Sequence, residues 1–274
     1  MREIAPTTAL CGIVLHPAGH TRSPAMHNAA FRALGIDAVY LAFDVAPAAL
    51  APAIAGARAL RVRQLAVSVP HKETVIAHLD EIDATARRIG AVNTVTWRDG
   101  ALLGANTDWL GVVRALERAT PLAGRRAAVL GAGGAARAAV HGLLERGARV
   151  TVLNRTVARA RELASALGAA AAGSLDDLAG GRFDVIVNAT SVGLREDVSP
   201  VSAAAIPAGA VVLDAVYDPE RTRLLRDAEA RGARVVCGKW WLVEQAAEQL
   251  RLWTGLEAPR EVMAAAFDRA GQPS

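Results

Sequence analysis

Short apolar runs alternate with stretches of helical spacing through the first hundred residues. Apolar runs over 10–15, 38–43 and 64–69 are typical of strands, and helical spacing follows each of them. Gly, Pro or polar residues bound these runs, which favours chain reversal there. We therefore predict strand–helix pairs whose helices cover 25–34, 46–60 and 73–88. Asp99-Gly100 between runs at 92–97 and 101–103 predicts a hairpin, because Asp-Gly suits a tight turn with positive φ.

The second half of the chain repeats strand–helix alternation more regularly. We expect strands at 127–130, 149–153, 185–188, 211–214 and 235–237, with helices after the strands at 127–130, 149–153 and 211–214. Residues 169–173 are a further strand or a loop, and helices over 243–253 and 261–270 close the chain. Repeated alternation of this kind favours a parallel, doubly wound sheet. The chain of 274 residues is long enough for two domains. The fold class is therefore α/β, with an N-terminal α/β domain followed by a Rossmann-type doubly wound domain.

Composition and charge narrow the class of partner. The net charge is +4, but the arginines are scattered, and no basic–aromatic interleaving typical of nucleic-acid binding is present. No uninterrupted apolar stretch reaches the roughly 18 residues of a membrane span. Cys11 and Cys237 are the only cysteines, which favours a reducing compartment, and the first ten residues lack a signal-peptide pattern. We expect a cytoplasmic protein that binds an anionic small molecule and neither nucleic acid nor membrane.

A glycine-rich turn directly follows the strand over 127–130. Its residues are Gly131, Ala132, Gly133, Gly134 and Ala135. Small residues let the backbone approach a pyrophosphate, and the N-terminus of the next helix supplies N–H donors. A strand precedes the turn, a helix follows it, and a second strand comes about 20 residues later, as in dinucleotide-binding domains. We interpret it as a cofactor-binding turn; an ordinary glycine-rich helix entry is the alternative.

The end of the strand at 149–153 distinguishes between nicotinamide cofactors. NAD sites usually place Asp or Glu there to bind the ribose hydroxyls. This chain has Asn154, Arg155 and Thr156 instead. A carboxylate would repel a 2′-phosphate, whereas a guanidinium can bind one through two hydrogen bonds. We therefore predict NADP with Arg155 at its 2′-phosphate, against the alternative of a solvated surface charge.

Oxidation of an alcohol by a nicotinamide needs a group that accepts the hydroxyl proton. No metal-ligand cluster is visible in the sequence, so we expect no metal. Lys72 follows a strand and precedes the predicted helix over 73–88, where the helix dipole disfavours a cation and so favours its use as a base. Asp108 heads another predicted helix, where a carboxylate is stabilised. A surface lysine and an ordinary helix cap remain the alternatives, and the spacing alone does not show that the two residues meet.

Around these residues the chain resembles the shikimate/quinate dehydrogenase family. The segment 21–28 is similar to the family's Ser-x-Ser-Pro loop, and 67–72 to its Val-Thr-Val-Pro-x-Lys segment. Further matches follow in order at 90–94, 104–108, 131–136, 154–156, 188–193 and 242–246. Each match is weak by itself, but the ordered set covers nearly the whole chain.

The resemblance implies domains over 1–107 for substrate and 108–238 for NADP, with the helices of 239–274 returning to the substrate domain. It makes Lys72 and Asp108 the catalytic pair. It implies substrate contacts from Thr21, Ser23, Ser68, Asn93, Tyr217 and Gln245. It implies cofactor contacts from Thr190, Ser191 and Gly238, beside the glycine turn and residues 154–156. The implied reaction is reversible oxidation of a ring hydroxyl of shikimate by NADP, in a monomer or a homodimer.

Several positions depart from the family pattern. Ala66 stands where an Asn is usual, and Ala105, Trp109, Trp240 and Trp241 alter the surroundings of the expected substrate and nicotinamide. Quinate, an aminated shikimate or another hydroxylated ring acid is therefore an alternative substrate. A non-catalytic NADP-binding sensor is the alternative from a different class.

Overall fold

The computed structural model describes residues 4–271. It divides into two compact units, here called unit 1 (Met1–Thr107 with Ala246–Ser274) and unit 2 (Asp108–Gln245). The seam between Gln245 and Ala246 lies inside helix α8 (Gly238–Thr254), so this helix contributes to both units. The predicted domain division instead placed a boundary at residue 238.

Unit 1 contains a mixed sheet of six strands in the order β2-β1-β3-β5-β6-β4. The strands are β1 (Ala9–Leu15), β2 (Ala38–Asp44), β3 (Gln64–Val67), β4 (Glu81–Ile82), β5 (Thr94–Arg98) and β6 (Ala101–Ala105). Strand β1 is parallel to β2 and β3, while β5 is antiparallel to β3 and β6. The predicted hairpin is confirmed: Asp99 and Gly100 both adopt positive φ, 50° and 85°, between β5 and β6.

The helices of unit 1 differ from prediction at one place. The helices are α1 (Ser23–Leu34), α2 (Leu50–Ala59), α3 (Ala84–Ile89) and α9 (Arg260–Ala270), with part of α8. The predicted continuous helix over 73–88 is wrong: a 3-10 turn (Thr74–His78), strand β4 and α3 occupy this segment. Two aspartates compete with a helix here. Asp80 accepts a hydrogen bond from the Leu102 N–H (2.7 Å), and Asp83 caps α3 by accepting one from the Ala86 N–H.

Unit 2 contains a parallel sheet of six strands, which confirms the predicted doubly wound fold. The strands are β7 (Arg126–Leu130), β8 (Arg149–Leu153), β9 (Ala171–Gly173), β10 (Val185–Asn188), β11 (Val211–Asp214) and β12 (Arg234–Val236). They lie in the order β9-β8-β7-β10-β11-β12, so the chain builds outward from β7 to one edge and then returns to build from β10 to the other edge. The helices are α4 (Asp108–Glu117), α5 (Gly134–Glu145), α6 (Val157–Leu167), α7 (Arg223–Ala230) and the first part of α8.

The strands of unit 2 are apolar on both faces, as expected for a parallel sheet covered on both sides. Successive residues of β7 alternate between the two cores: Val129 packs into one apolar cluster and Leu130 into the other. The first cluster includes residues of α4, α5 and α6, and the second includes residues of α7. Among residues 4–271, no helix combines the length and the hydropathy that a membrane crossing requires.

Candidate active site

The strand register of unit 1 gathers several loops at one end of its sheet. Val14 near the end of β1 lies beside Val67 at the end of β3. Because β5 is antiparallel to β3 and β6, its first residue, Thr94, lies beside both Ala66 and Ala105. The loops that follow β1, β3 and β6, and the one that precedes β5, therefore meet at the same end. We call this region the polar edge; its predicted site residues are Thr21, Ser23, Ser68, Lys72 and Asn93.

Backbone hydrogen bonds fix the loop that carries Ser68 and Lys72. The Val92 N–H donates to the Lys72 carbonyl (2.8 Å), and the His16 N–H donates to the Val69 carbonyl (3.0 Å). Buried His71 is 2.7 Å from the Val45 carbonyl through Nε2. A 3-10 turn (Thr74–His78), and not an α-helix, follows Lys72, so the helix-dipole argument for its use as a base is wrong. The backbone of the loop is instead held by hydrogen bonds from the segments that follow β1 and precede β5.

The Asn93 side chain is hydrogen-bonded to the segment that leads into Asp108. Its Oδ1 accepts hydrogen bonds from the Thr107 N–H (2.7 Å) and the Thr94 hydroxyl (2.8 Å). Its Nδ2 donates to the Thr107 hydroxyl (3.1 Å). Asn106 is tied in the same way, donating to the Ala91 carbonyl (2.9 Å). The chain immediately before Asp108 is thus held by buried side chains of unit 1, a function that the sequence analysis did not assign to Asn93.

The first loop of the polar edge turns directly into helix α1. Ser23 is the first helical residue and is buried, and its N–H donates to the Thr21 hydroxyl (3.3 Å). Thr21 is half-buried. These hydroxyls lie on a loop with no acidic residue in the first turn of α1. Such a loop can donate hydrogen bonds to a carboxylate without charge repulsion.

In unit 2 the glycine turn lies at the point where the strand order reverses. This is the usual place for a ligand in a doubly wound sheet. Gly131 has φ +110°, and a Cβ there would lie 3.0 Å from Thr190 Cγ2 and 3.3 Å from the Ala189 carbonyl. Glycine is therefore needed at 131 for both conformation and space. We call the region bounded by Gly131, Gly133, Ala189 and Thr190 the glycine crevice.

The glycine crevice fits a pyrophosphate. Gly133 precedes α5 without any side-chain cap, and the first turn of α5 has no acidic residue. A Cβ at Gly133 would meet no atom within 4 Å, so the backbone there faces open space. Uncapped N–H groups facing open space at a helix N-terminus are suited to phosphate oxygens. Gly134 and Ala135 form the first turn of α5 beside them.

The end of β8 has the chemistry of a 2′-phosphate site. Asn154 folds onto its own loop, donating from Nδ2 to the Thr156 carbonyl (3.0 Å). Arg155 between them is exposed, and α6, which starts after Thr156, has no acidic residue in its first turn. A phosphate at this place would meet a guanidinium and a helix N-terminus, both favourable for an anion.

Further predicted residues of unit 2 lie at the carboxyl ends of β10 and β11. The Thr190 hydroxyl donates to Asn188 Oδ1 (2.7 Å), while Ser191 is exposed and Tyr217 half-buried.

The remaining predicted residues of unit 2 lie on helices. Gly238 is required for packing: a Cβ there would lie 2.6–2.8 Å from the carbonyl oxygens of residues 214–216. Gln245 is buried on α8 and donates from Nε2 to the Leu242 carbonyl (3.0 Å). Asp108 begins α4, as predicted, and is buried.

The tryptophans that depart from the family pattern pack within unit 2. Trp109 meets the His141 ring at 5.5 Å between centroids, against the neighbouring helix α5. Trp240 lies under the Arg118 guanidinium (3.6 Å) beside a cavity of about 510 Å³ along β12. Trp241 is 5% exposed and contacts the backbone position of Gly111. Ala66 is buried in β3 beside Ile13 and Thr94. The tryptophans are therefore accounted for by helix packing, and Trp240 is half-buried rather than part of the core.

One signal for Lys72 was available in the sequence and was missed. Lys72 and Lys239 are the only lysines among the 31 lysine and arginine residues of the chain. Arginine stays protonated in proteins, so it cannot serve as a base, whereas lysine can. Lys72 and Lys239 are therefore the two positions at which this chain has a lysine available as a base.

Family models match three segments of the chain. They are described as shikimate dehydrogenase substrate binding domain (residues 13–95), shikimate/quinate 5-dehydrogenase (114–195) and shikimate 5′-dehydrogenase C-terminal domain (242–266). A relative from Thermococcus kodakarensis named shikimate dehydrogenase (NADP(+)) is 48% identical over 93% of this chain and 94% of its own length. The chain belongs to the shikimate/quinate dehydrogenase family. The predicted family and fold class are confirmed.

Two further family members show how closely the whole chain is matched. A relative from Methanothermobacter thermautotrophicus, also named shikimate dehydrogenase (NADP(+)), is 44% identical over 97% of this chain and 98% of its own length. The crystal structure of shikimate 5-dehydrogenase from Thermus thermophilus in complex with NADP(H) and shikimate is 41% identical, with a TM-score of 0.90. The match covers 96% of this chain and 99% of that chain. The similarity therefore extends over both units.

Proposed function

We propose that this family member is an NADP-dependent shikimate dehydrogenase that interconverts shikimate and 3-dehydroshikimate. The observation that carries the proposal is its end-to-end similarity to relatives named shikimate dehydrogenase (NADP(+)). The rigid polar edge of unit 1 and the glycine crevice of unit 2 have the chemistry that such a reaction needs. NADP⁺, when bound, accepts the hydride from the carbon that carries the reacting hydroxyl.

Lys72 and Asp108 are proposed as the acid–base pair. Oxidation of the alcohol releases the hydroxyl proton, and the Lys72 amine in its neutral form accepts that proton as the ketone forms. Asp108 is proposed to stabilise the resulting ammonium. The anchoring of Lys72 by Val92 and the anchoring of Thr107 by Asn93 both support this assignment, because they immobilise the backbone beside each group.

Neutral donors are proposed to bind the ring acid. Hydroxyl groups of Thr21, Ser23 and Ser68 are proposed for the carboxylate and ring hydroxyls, together with Asn93, Tyr217 and Gln245. The Asn93 side chain already forms hydrogen bonds with Thr94 and Thr107. Its contribution to substrate binding is therefore proposed to be secondary to its role in holding the segment before Asp108.

Cofactor binding is assigned to unit 2. The backbone of residues 131–135 is proposed to cradle the pyrophosphate, with Thr190, Ser191 and Gly238 near the nicotinamide. Arg155, with Asn154 and Thr156, is proposed to bind the 2′-phosphate and so to favour NADP over NAD. We further propose that the enzyme acts in the cytoplasm as a monomer or homodimer. The two cysteines, which are both free, are consistent with a reducing compartment.

Initial rates of NADP reduction with a panel of ring acids test this function. Shikimate, quinate and 3-aminated shikimate would each be offered to the purified protein with NADP and with NAD. We expect the largest kcat/KM for shikimate with NADP. Turnover of quinate or the aminated acid without turnover of shikimate would contradict the substrate assignment. Tight NADP binding without any turnover would favour the sensor alternative.

A further inference from the structure

A buried carboxylate joins the ends of two strands beside the glycine crevice. Asp214 is the last residue of β11, is fully buried and belongs to none of the site residues discussed above. Its Oδ1 accepts hydrogen bonds from Asn188 Nδ2 (2.8 Å) and the Val216 N–H (3.0 Å). Its Oδ2 accepts one from the Thr222 hydroxyl (2.7 Å). The carboxylate thus ties together the segments that follow β10 and β11 and the start of α7.

The network continues from Asp214 to the crevice through Asn188. Asn188 Oδ1 accepts hydrogen bonds from both the N–H (3.1 Å) and the hydroxyl (2.7 Å) of Thr190. The Thr190 hydroxyl in turn accepts one from the Val192 N–H (3.2 Å). Because Thr190 lies against Gly131, the position of the Asn188 amide sets one wall of the crevice. An amide side chain can rotate by 180°, but the Asp214 carboxylate accepts only a donor, so Nδ2 must point toward Asp214 and Oδ1 toward Thr190.

The same carboxylate holds the start of the loop that carries Tyr217. The Val216 N–H bound to Oδ1 belongs to the residue immediately before Tyr217. Burying a charged carboxylate is costly unless donors surround it, and here three donors do so. Burial raises the pKa of Asp214 to about 6, and the hydrogen bonds from Thr222, Val216 and Asn188 oppose that rise. These three partners are neutral, so the Asp214 carboxylate forms no ion pair with them and instead fixes the orientation of the Asn188 amide.

We propose that Asp214 is a positioning residue for the cofactor site, which orients Asn188 and thereby Thr190 at the glycine crevice and also anchors the Tyr217 loop. The proposal rests on the proposed NADP dependence of the enzyme. This role differs from simple stabilisation of the fold, because only Oδ1 of Asp214 is hydrogen-bonded to Asn188 and thereby linked to Thr190. Thr222, bound to the other oxygen, provides a matched control.

Calorimetric titration of NADP into the whole protein tests this proposal. Asp214→Ala is expected to raise the Kd for NADP about 10-fold, because Asn188 loses the partner that orients it. Asp214→Asn, which keeps an acceptor for Asn188, should stay within about 2-fold, since the Thr222 hydroxyl can reverse and accept. Thr222→Val should lower the melting temperature but leave the Kd unchanged. In kinetics, Asp214→Ala should raise KM for NADP, and KM for shikimate should rise as well because the Tyr217 loop loses its anchor.

A double-mutant cycle with Asn188 separates positioning from general weakening. If Asp214 acts through Asn188, adding Asp214→Ala to Asn188→Ala should not weaken NADP binding further. Should Asp214→Ala fail to fold, Asp214→Glu serves instead, because it keeps the charge but moves the oxygens. An unchanged Kd in Asp214→Ala, or an equal loss in Thr222→Val, would overturn the proposal. Absence of NADP binding by the unaltered protein would instead overturn the proposed function.

Discussion

The polar edge of unit 1 and the glycine crevice of unit 2 are built from different parts of the chain. The crevice is mostly backbone: its shape depends on Gly131 with positive φ and on the uncapped N-terminus of α5. The polar edge is mostly side chains, brought from three separate loops by strand register. A site made of backbone binds any ligand with the right phosphate geometry, whereas a site made of side chains can be selective and can carry out proton transfer.

The largest effect is expected from removing the proposed base of the polar edge while leaving the glycine crevice unchanged. Lys72→Ala should lower kcat by about 10³-fold, because general acid–base catalysis is lost, while the Kd for NADP stays unchanged. Lys239→Ala is the matched control, since it removes the only other lysine, and it should retain near-normal kcat. Steady-state rates and calorimetry on both variants make the comparison. A Lys72→Ala enzyme with near-normal kcat would remove Lys72 from the mechanism.

A smaller effect is expected at the edge of the cofactor site. Arg155→Ala should raise KM for NADP by about 10- to 100-fold, the range expected when charged hydrogen bonds to a phosphate are lost. KM for NAD should hardly change, because NAD has no 2′-phosphate. Arg161→Ala, an exposed arginine on α6, controls for loss of surface charge. An equal rise in KM for NADP and for NAD would show that Arg155 does not bind the 2′-phosphate.

Buried titratable groups in the two units should respond to acid in opposite directions. In unit 1, burial lowers the pKa of His27 to about 3, so the unfolded chain binds a proton between pH 6.5 and 3 that the folded chain does not. Stability from this residue is therefore lost as pH falls through that window. In unit 2, the raised pKa of Asp214, about 6, means that the folded chain binds the extra proton, so stability is lost as pH rises through 4–6.

Variants separate these opposing contributions. Between pH 7 and 5, His27→Phe should gain about 2 kcal/mol of unfolding free energy relative to the unaltered protein. Phenylalanine suits the site because His27 already stacks on Tyr40, with centroids 4.2 Å apart. Asp214→Asn should lose about 1 kcal/mol over the same range. Denaturant unfolding at both pH values measures the two differences. The same sign for both variants would contradict the assigned protonation states.

The comparison also explains which features could be predicted from the sequence. The glycine turn and Arg155 are local signals, because a few neighbouring residues define the backbone shape and the charge. Lys72 and Asp108 lie in different units, and only the family resemblance joined them. The helix predicted over 73–88 was wrong because the side chains of Asp80 and Asp83 accept hydrogen bonds from backbone N–H groups, which competes with a continuous helix. Asp214 was missed because its partners come from segments separated along the chain.

Transfer of deuterium from labelled shikimate tests the central claim most directly. Shikimate carrying deuterium at the ring carbon that bears the 3-hydroxyl would be incubated with the enzyme and NADP, and the products would be analysed by mass spectrometry. The account predicts one deuterium in the reduced nicotinamide and none in the 3-dehydroshikimate carbonyl position. Reduced cofactor without deuterium, or no reduced cofactor despite tight binding of NADP, would contradict it.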